Sequence, residues 1–257
     1  MHPVAAEVLA VAREALLDAW ALIQPVDCLG CGVPDRAICP ACRTAIQPVN
    51  ARRIRCDAPL AVPVWTAGDY AGPARAAILA LKEHGRVDAA RVLAPTLRSA
   101  VRAAAEHAAG ERIAEREAGP GATSGDADGR SEPEDRSPEL ARVPTTRRAL
   151  VRRRLDPLAE LLRAAGLPVA DVLRPTRQWR AGSQKTRDRR GRLAGDRGRF
   201  RARTALAGRA FLLVDDVATT GATFAAAVGA IEEAGGRVVA CVALAAPDLA
   251  RRTLDSL

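Results

Sequence analysis

Two stretches of the 257-residue chain hold side chains whose types and spacing suit chemistry. The first is FLLVDDVATTGAT, from Phe211 to Thr223. An apolar run ends in two adjacent carboxylates, Asp215 and Asp216. A short loop and the start of a helix follow, at Ala218, Thr219, Thr220, Gly221, Ala222 and Thr223. Carboxylates do not favour phosphate. They suit ribose hydroxyls, or Mg²⁺ held through water. The first turn of a helix offers unpaired N–H groups and a positive dipole end, which suit a phosphate. Together these describe a site for a sugar phosphate. The same residues can also end a strand and cap a helix with no ligand. The second stretch is DCLGCGVPDRAICPAC, which spaces Cys28, Cys31, Cys39 and Cys42 as C-x2-C-x7-C-x2-C. Each C-x2-C turn aims two thiolates at one point. Four thiolates make a closed tetrahedral set suited to structural Zn²⁺, or iron in its place, with no open position for catalysis.

The elements that must position these groups can be read from the pattern around them. FLLVDDV reads as a buried strand, TFAAAVGAIEEAGG as a helix and RVVACVALAA as a second strand. That order suggests a right-handed parallel βαβ unit, and the fold class is α/β. In open sheets of this class ligands sit beyond the carboxyl ends of the strands, where the Asp-Asp loop falls. Upstream, PLAVPVWTAGDY reads as a short strand, followed by two helices separated at Gly85. DPLAELLRAAG reads as a further helix. Residues 1–25 keep helical apolar spacing. The expected organisation is an N-terminal helix over 1–25, a metal-binding module over 26–58, and an α/β domain over 60–257. Between about 110 and 141 the chain is rich in Gly, Pro, Ser and acids, and reads as a disordered insertion within that domain.

Composition narrows the class. Hydrophobic residues make up 48%, enough for a core, but aromatics only 3%, so Ala, Val and Leu must fill it. No apolar run approaches the ~18–20 residues of a membrane span. The N-terminus lacks the basic start and unbroken apolar stretch of a secretory signal. The expected location is the cytoplasm, where six cysteines call for a non-disulfide explanation. Net charge is +9, with 39 basic residues of which only Lys82 and Lys185 are lysines. From Arg142 to Arg209 the chain carries a net +15, leaving −6 elsewhere. A segment this basic can track a nucleic-acid backbone, although stacking platforms are nearly absent from it, with only Trp179 and Phe200. The other use is to hold a small anion through planar guanidinium groups.

FLLVDDVATTGAT resembles the phosphoribosyl-pyrophosphate (PRPP) motif of type I phosphoribosyltransferases. Four further features in order resemble the ComF family, competence-protein ComFC-like members of that superfamily. They are the four-cysteine cluster, GDYAGPARAAILALKEHGR with Tyr70, Lys82 and Gly85, VPTTRRALVRRRLDPLAELLRAAG, and RPTRQWRAGSQKTRDRRGRLAGDRGRF. The chain departs from the family pattern at Arg153-Arg154-Leu155-Asp156, where no Gly stands, and at Gly195 in place of an Asn. The resemblance implies a parallel sheet flanked by helices and binding of PRPP with Mg²⁺. Asp215 and Asp216 would hold the ribose hydroxyls and Mg²⁺, and Ala218 to Thr223 the 5′-phosphate. Arg147, Arg148, Arg152, Arg153 and Lys82 are candidates for the pyrophosphate side. The chemistry implied is transfer of phosphoribosyl to a nitrogen acceptor with release of pyrophosphate. Thr219 stands where purine-salvage relatives carry an acid, which disfavours purines as acceptor. The alternative implied by the family is a non-catalytic accessory of DNA uptake that binds single-stranded DNA through the Arg-rich segment.

Overall fold

In a computed structural model, the structure describes residues 27–34, 36–48, 50–58, 60–118, 137–145, 150–151, 155–176 and 198–248. The expected helix over residues 1–25 lies outside them. The chain forms a mixed α/β fold whose centre is a five-stranded sheet in the order β1-β2-β7-β6-β3. The strands are β1 (Arg52–Ile54), β2 (Val64–Thr66), β3 (Glu139–Arg142), β6 (Ala210–Val217) and β7 (Arg237–Ala245). The pairs β2–β7, β7–β6 and β6–β3 are parallel, and β1 runs antiparallel on β2 at one edge. β4 (Leu173–Pro175) and β5 (Phe200–Ala202) form a separate antiparallel pair.

Strand alternation divides the core between the two faces. Leu212 and Val214 of β6, with Ala240, Val242 and Leu244 of β7, face one side. There they meet α2 (Gly72–His84), α3 (Asp88–Ala118) and α4 (Pro157–Ala164). Phe211 and Leu213, with Val238, Cys241 and Ala243, face the other side. They meet Phe224, Ala227 and Ile231 of α5 (Ala222–Glu232), and Phe200 and Leu173 of the small β-pair. A register shift at Phe211/Leu212 inserts Val239 as an extra residue in β7 without breaking the alternation that follows. Few rings are needed because α3 presents small side chains to the sheet: Ala90, Ala94, Ala100 and Ala104 are all buried. Alanine faces bring a helix close to a strand layer, and Leu93 and Leu97 fill the remaining gap.

Two expected boundaries move. Helix α3 runs through residues 110–118 instead of giving way to a disordered stretch at 110. Its sequence there is rich in Ala, Glu and Arg, which are strong helix formers. Arg102–Glu106 at 3.9 Å and His107–Glu111 at 3.1 Å add pairs one turn apart. At the other end, Glu139 to Arg142 form β3, with Leu140 opposite Leu212. A strand so poor in apolar residues suffices because it pairs near the sheet's margin. Ala141 alone is fully covered, and a two-point ion pair from Arg209 holds Glu139, at 2.9 and 2.8 Å. The rest of the expected insertion, residues 119–136, lies outside the described residues.

The metal-binding module also extends less far than residue 58. Arg52–Ile54 belong to the central sheet. Cys28, Leu29, Ile38, Cys42 and Ile46 sit in the same buried cluster as α2 and α3. Here α1 (Pro40–Ile46) docks through Thr96, whose hydroxyl donates to the Ile46 carbonyl at 3.0 Å.

If α3 is held by burial and not by its own propensity, Leu97→Ala should cost about 2–5 kcal/mol in denaturant melts. Ile113→Ala, at a position 58% exposed on the same helix, should change stability by under ~0.5 kcal/mol.

Candidate functional site

β6 carries Asp215 and Asp216 to the carboxyl end of the parallel sheet, as the sequence predicts. Because the strand alternates, the two carboxylates diverge. Asp216 continues the row of Leu212 and Val214 toward α2, and Asp215 the row of Phe211 and Leu213 toward α5. The Asp216 N–H donates to Asp215 Oδ1 at 2.8 Å, which fixes the first carboxylate across the turn. Burial, then the neighbouring Asp216 charge, push the Asp215 carboxyl up to about 8. The Asp216 N–H and the charges of Lys82 and Arg199 oppose this without cancelling it.

The loop after the strand is anchored on both sides. The Ala218 N–H donates to the Ala245 carbonyl at 3.0 Å, and Ala58 N–H donates to the Thr220 carbonyl at 2.8 Å. Gly221 is the residue before α5 and takes φ +81°, a left-handed conformation that glycine adopts without strain. It also lacks room for a side chain: an added Cβ would lie 2.7 Å from Cys56 Cβ. Cys56 and Leu60 thus wall the loop from behind, a role that no spacing in the sequence announces. Gly221 offers no side chain to cap α5, and the Ala222 N–H donates to Thr220 Oγ1 in a long bond of 3.4 Å. Thr219 and Thr220 are exposed, and Thr223 is half-buried.

Helix α2 lies over the same edge. Pro73, Ala74 and Ile78 face Leu244 and Ala245 at the end of β7 across a cavity of about 260 Å³. One turn on, roughly 6 Å along the axis, Lys82 Nζ lies 2.8 Å from Asp216 Oδ2. Gly85, at φ +66°, ends the helix against Leu155. Lys82 therefore meets the acid pair itself, where the sequence reading placed it on the pyrophosphate side. Asp69 and the α1 end at Ile46 complete the cavity wall.

Arg147, Arg148, Arg152 and Arg153 lie outside the described residues, as do Arg177, Gln184 and Arg192. The flanks of the first group are fixed. Val143 N–H donates to the Val214 carbonyl at 2.9 Å, beside Asp215. Arg142 pairs with Asp156, and Thr145 Oγ1 donates to Asp156 Oδ1 at 3.2 Å. Asp156 also caps α4 by accepting from Ala159 N–H at 3.3 Å. Much of the described positive charge from Arg142 to Arg209 is neutralised internally. Arg163 pairs with Glu160, Arg203 with Asp171 at 3.0 Å, and Arg209 with Glu139. Arg199, which acts on Asp215, is a cation that the sequence reading passed over inside a crowded basic block.

The four cysteines converge as predicted, with their sulfur atoms all within 4.8 Å of one another. Cys31 and Cys39 are 3.8 Å apart, the separation expected of two sulfurs each about 2.3 Å from one tetrahedral ion. Burial works against ionising Cys28, but backbone N–H groups of Cys39, Cys31 and Gly30 outweigh it and hold the thiol at about 6. Burial and the neighbouring thiols push Cys42 up. Gly30 must be glycine, since a Cβ would come within 2.6 Å of Cys42 Sγ and 2.9 Å of Pro73. The arrangement could hold a metal ion.

Fold and edge together define a mostly parallel α/β sheet with an acidic pair and an open helix start at its carboxyl end, next to a four-cysteine cluster. No family model matches the chain, and no curated protein matches it. Among the described residues no helix is long and apolar enough to cross a membrane.

Because the folded chain keeps the Asp215 proton to higher pH than the unfolded chain, that contribution is complete below pH 3.8 and is lost as pH rises through about 8. Asp215→Asn does not titrate. Its stability relative to wild type should therefore climb across this window by at least about 1.4 kcal/mol, one pKa unit's worth, in pH-resolved denaturant melts. A constant difference would show that Asp215 titrates normally.

Proposed function

We propose that the carboxyl edge of the sheet binds PRPP with Mg²⁺, in the manner of the ComF-like phosphoribosyltransferases that the sequence resembles. The observation that carries this reading is the Asp215-Asp216 pair at the carboxyl end of β6, leading through Gly221 into the start of α5. Two carboxylates at a strand end suit two ribose hydroxyls, which are donors. N–H groups of the α5 first turn and the Thr219 and Thr220 hydroxyls would suit the 5′-phosphate, the long Ala222–Thr220 bond giving way to it. Mg²⁺, held through water by the acid pair, would neutralise pyrophosphate charge and orient the sugar.

Transfer to a nitrogen acceptor would break the bond from C1 of the ribose to pyrophosphate. Positive charge grows on the ribose and negative charge on the leaving group. The Asp216 charge, and that of Asp215 once bound Mg²⁺ displaces its proton, would supply the main stabilisation, with Lys82 and Arg199 beside them. The 260 Å³ cavity on the Asp216 side of the sheet offers the acceptor a place. It is smaller than the usual ~300–1,000 Å³ of drug-sized sites, and suits a single-ring molecule. DNA binding through the Arg-rich segment, most of whose basic residues lie outside the described part of the chain, is the alternative reading.

The cysteine cluster would hold one structural Zn²⁺, given thiolate donors, tetrahedral spacing and no open position.

Calorimetry with PRPP and Mg²⁺ should give binding that Asp215→Asn with Asp216→Asn weakens at least about 100-fold, the scale of losing charge-assisted hydrogen bonds. Equal affinity would refute the site. Reduced chain purified without chelator should carry one zinc by elemental analysis. Cys28→Ser should remove it and lower the thermal midpoint. Full-length protein that never carries metal would refute the zinc assignment.

A further inference from the structure

Lys82 is the one lysine among the described residues of a chain whose 39 basic side chains include only two lysines. It is also the residue that meets the acid pair, at 2.8 Å from Asp216. Both side chains keep only about a fifth of their exposure, 22% for Lys82 and 21% for Asp216. The choice of lysine matters physically. An arginine here would engage both carboxylate oxygens through a planar fork. An ammonium is a point charge on a flexible stem that leaves readily. Elsewhere the described chain uses arginine for lasting pairs, as Arg209 does with both oxygens of Glu139.

We propose that Lys82 is a detachable counter-cation of the acid pair. In the ligand-free site its ammonium occupies the position a divalent cation would take at Asp216, so the site does not load the free ion. A ligand that brings its own cation and its own phosphate charge can displace it, and the phosphates then receive the lysine. Sugar and metal enter together, as a complex. Helix α2 makes this exchange possible. Ala77, Ile78 and Leu81 bury the helix in the core, so the backbone beneath Lys82 is fixed and the flexible stem alone carries the ammonium away. The proposal rests on reading Asp215 and Asp216 as the cation and ribose site, and its consequence for free metal can be measured without any sugar phosphate.

Mn²⁺ serves as the probe, followed by electron paramagnetic resonance on the reduced, metal-loaded full chain. Lys82→Met should bind Mn²⁺ about ten-fold or more tighter than wild type, the scale of removing one competing charge at contact. Adding Asp216→Asn to Lys82→Met should abolish the gain, and Lys82→Arg, which keeps a cation on Asp216, should bind Mn²⁺ no tighter than wild type. Lys82→Gln provides a second neutral variant should Lys82→Met melt early. Equal Mn²⁺ affinity in wild type and in the folded neutral variant would overturn the proposal, as would a gain that survives Asp216→Asn. Failure of wild type to bind PRPP would instead sink the functional reading and leave the Mn²⁺ result standing.

Discussion

Two carboxylates on consecutive residues at the end of a buried strand are costly, and much of the surrounding structure answers that cost. Desolvation and mutual repulsion both disfavour ionising Asp215. Strand geometry turns the two side chains to opposite faces, which lessens the repulsion. Lys82 from α2 pairs with Asp216, and the charges of Lys82 and then Arg199 act on Asp215. The strand contributes its own N–H through Asp216. None of these fully offsets the penalty, since the Asp215 proton is still held to about pH 8. Carboxyl groups perturbed in this way by burial and by a like charge concentrate at functional sites.

The sheet supplies the rigidity that this requires. β6 lies between β7 and β3, and Phe211, Leu212, Leu213 and Val214 are all buried. The strand therefore cannot tilt to relieve its acidic end without disturbing both faces of the core. The loop that follows has as little freedom. Cys56 occupies the space behind Gly221, and the Thr220 carbonyl is held by the Ala58 N–H. A helix start kept open in this way is preorganised, and an anion meeting it does not have to order the loop first.

The parts of this arrangement differ in how far the sequence reveals them. The apolar run 211–214, the acid pair and the Gly-containing loop are contiguous, so their layout follows from strand and helix periods alone. The four cysteines are legible for the same reason, because each C-x2-C pair is local. What the sequence hides is contact between distant segments. Cys56 lies far from Gly221 along the chain, and its support of the loop leaves no pattern. Glu139–Arg142 looks too polar for a strand because only Ala141 must be covered, and a partner at Glu139 sits seventy residues away. Lys82 carries a signal, being a lysine in an arginine-rich chain, but its partner is fixed by where α2 crosses the sheet. The helical stretch from 110 to 118 was obscured by its charge content, which reads as disorder when Ala, Glu and Arg are counted as polar composition and not as helix formers.

The cysteine cluster bears on the acid pair through one continuous set of contacts. Gly30 packs so closely that a Cβ there would strike both Cys42 and Pro73, and Pro73 opens α2. The end of α1 closes the cavity beneath that helix. The sheet has no comparable dependence on the cluster. β6 and β7 are buried by α3, α5 and each other. A metal at the four sulfurs would thus fix the first turn of α2, and Lys82 lies ten residues, about 15 Å, along the same helix. The cluster thus touches the start of the helix whose last turn places Lys82 at Asp216, while Ala77, Ile78 and Leu81 hold the helix between them in the core.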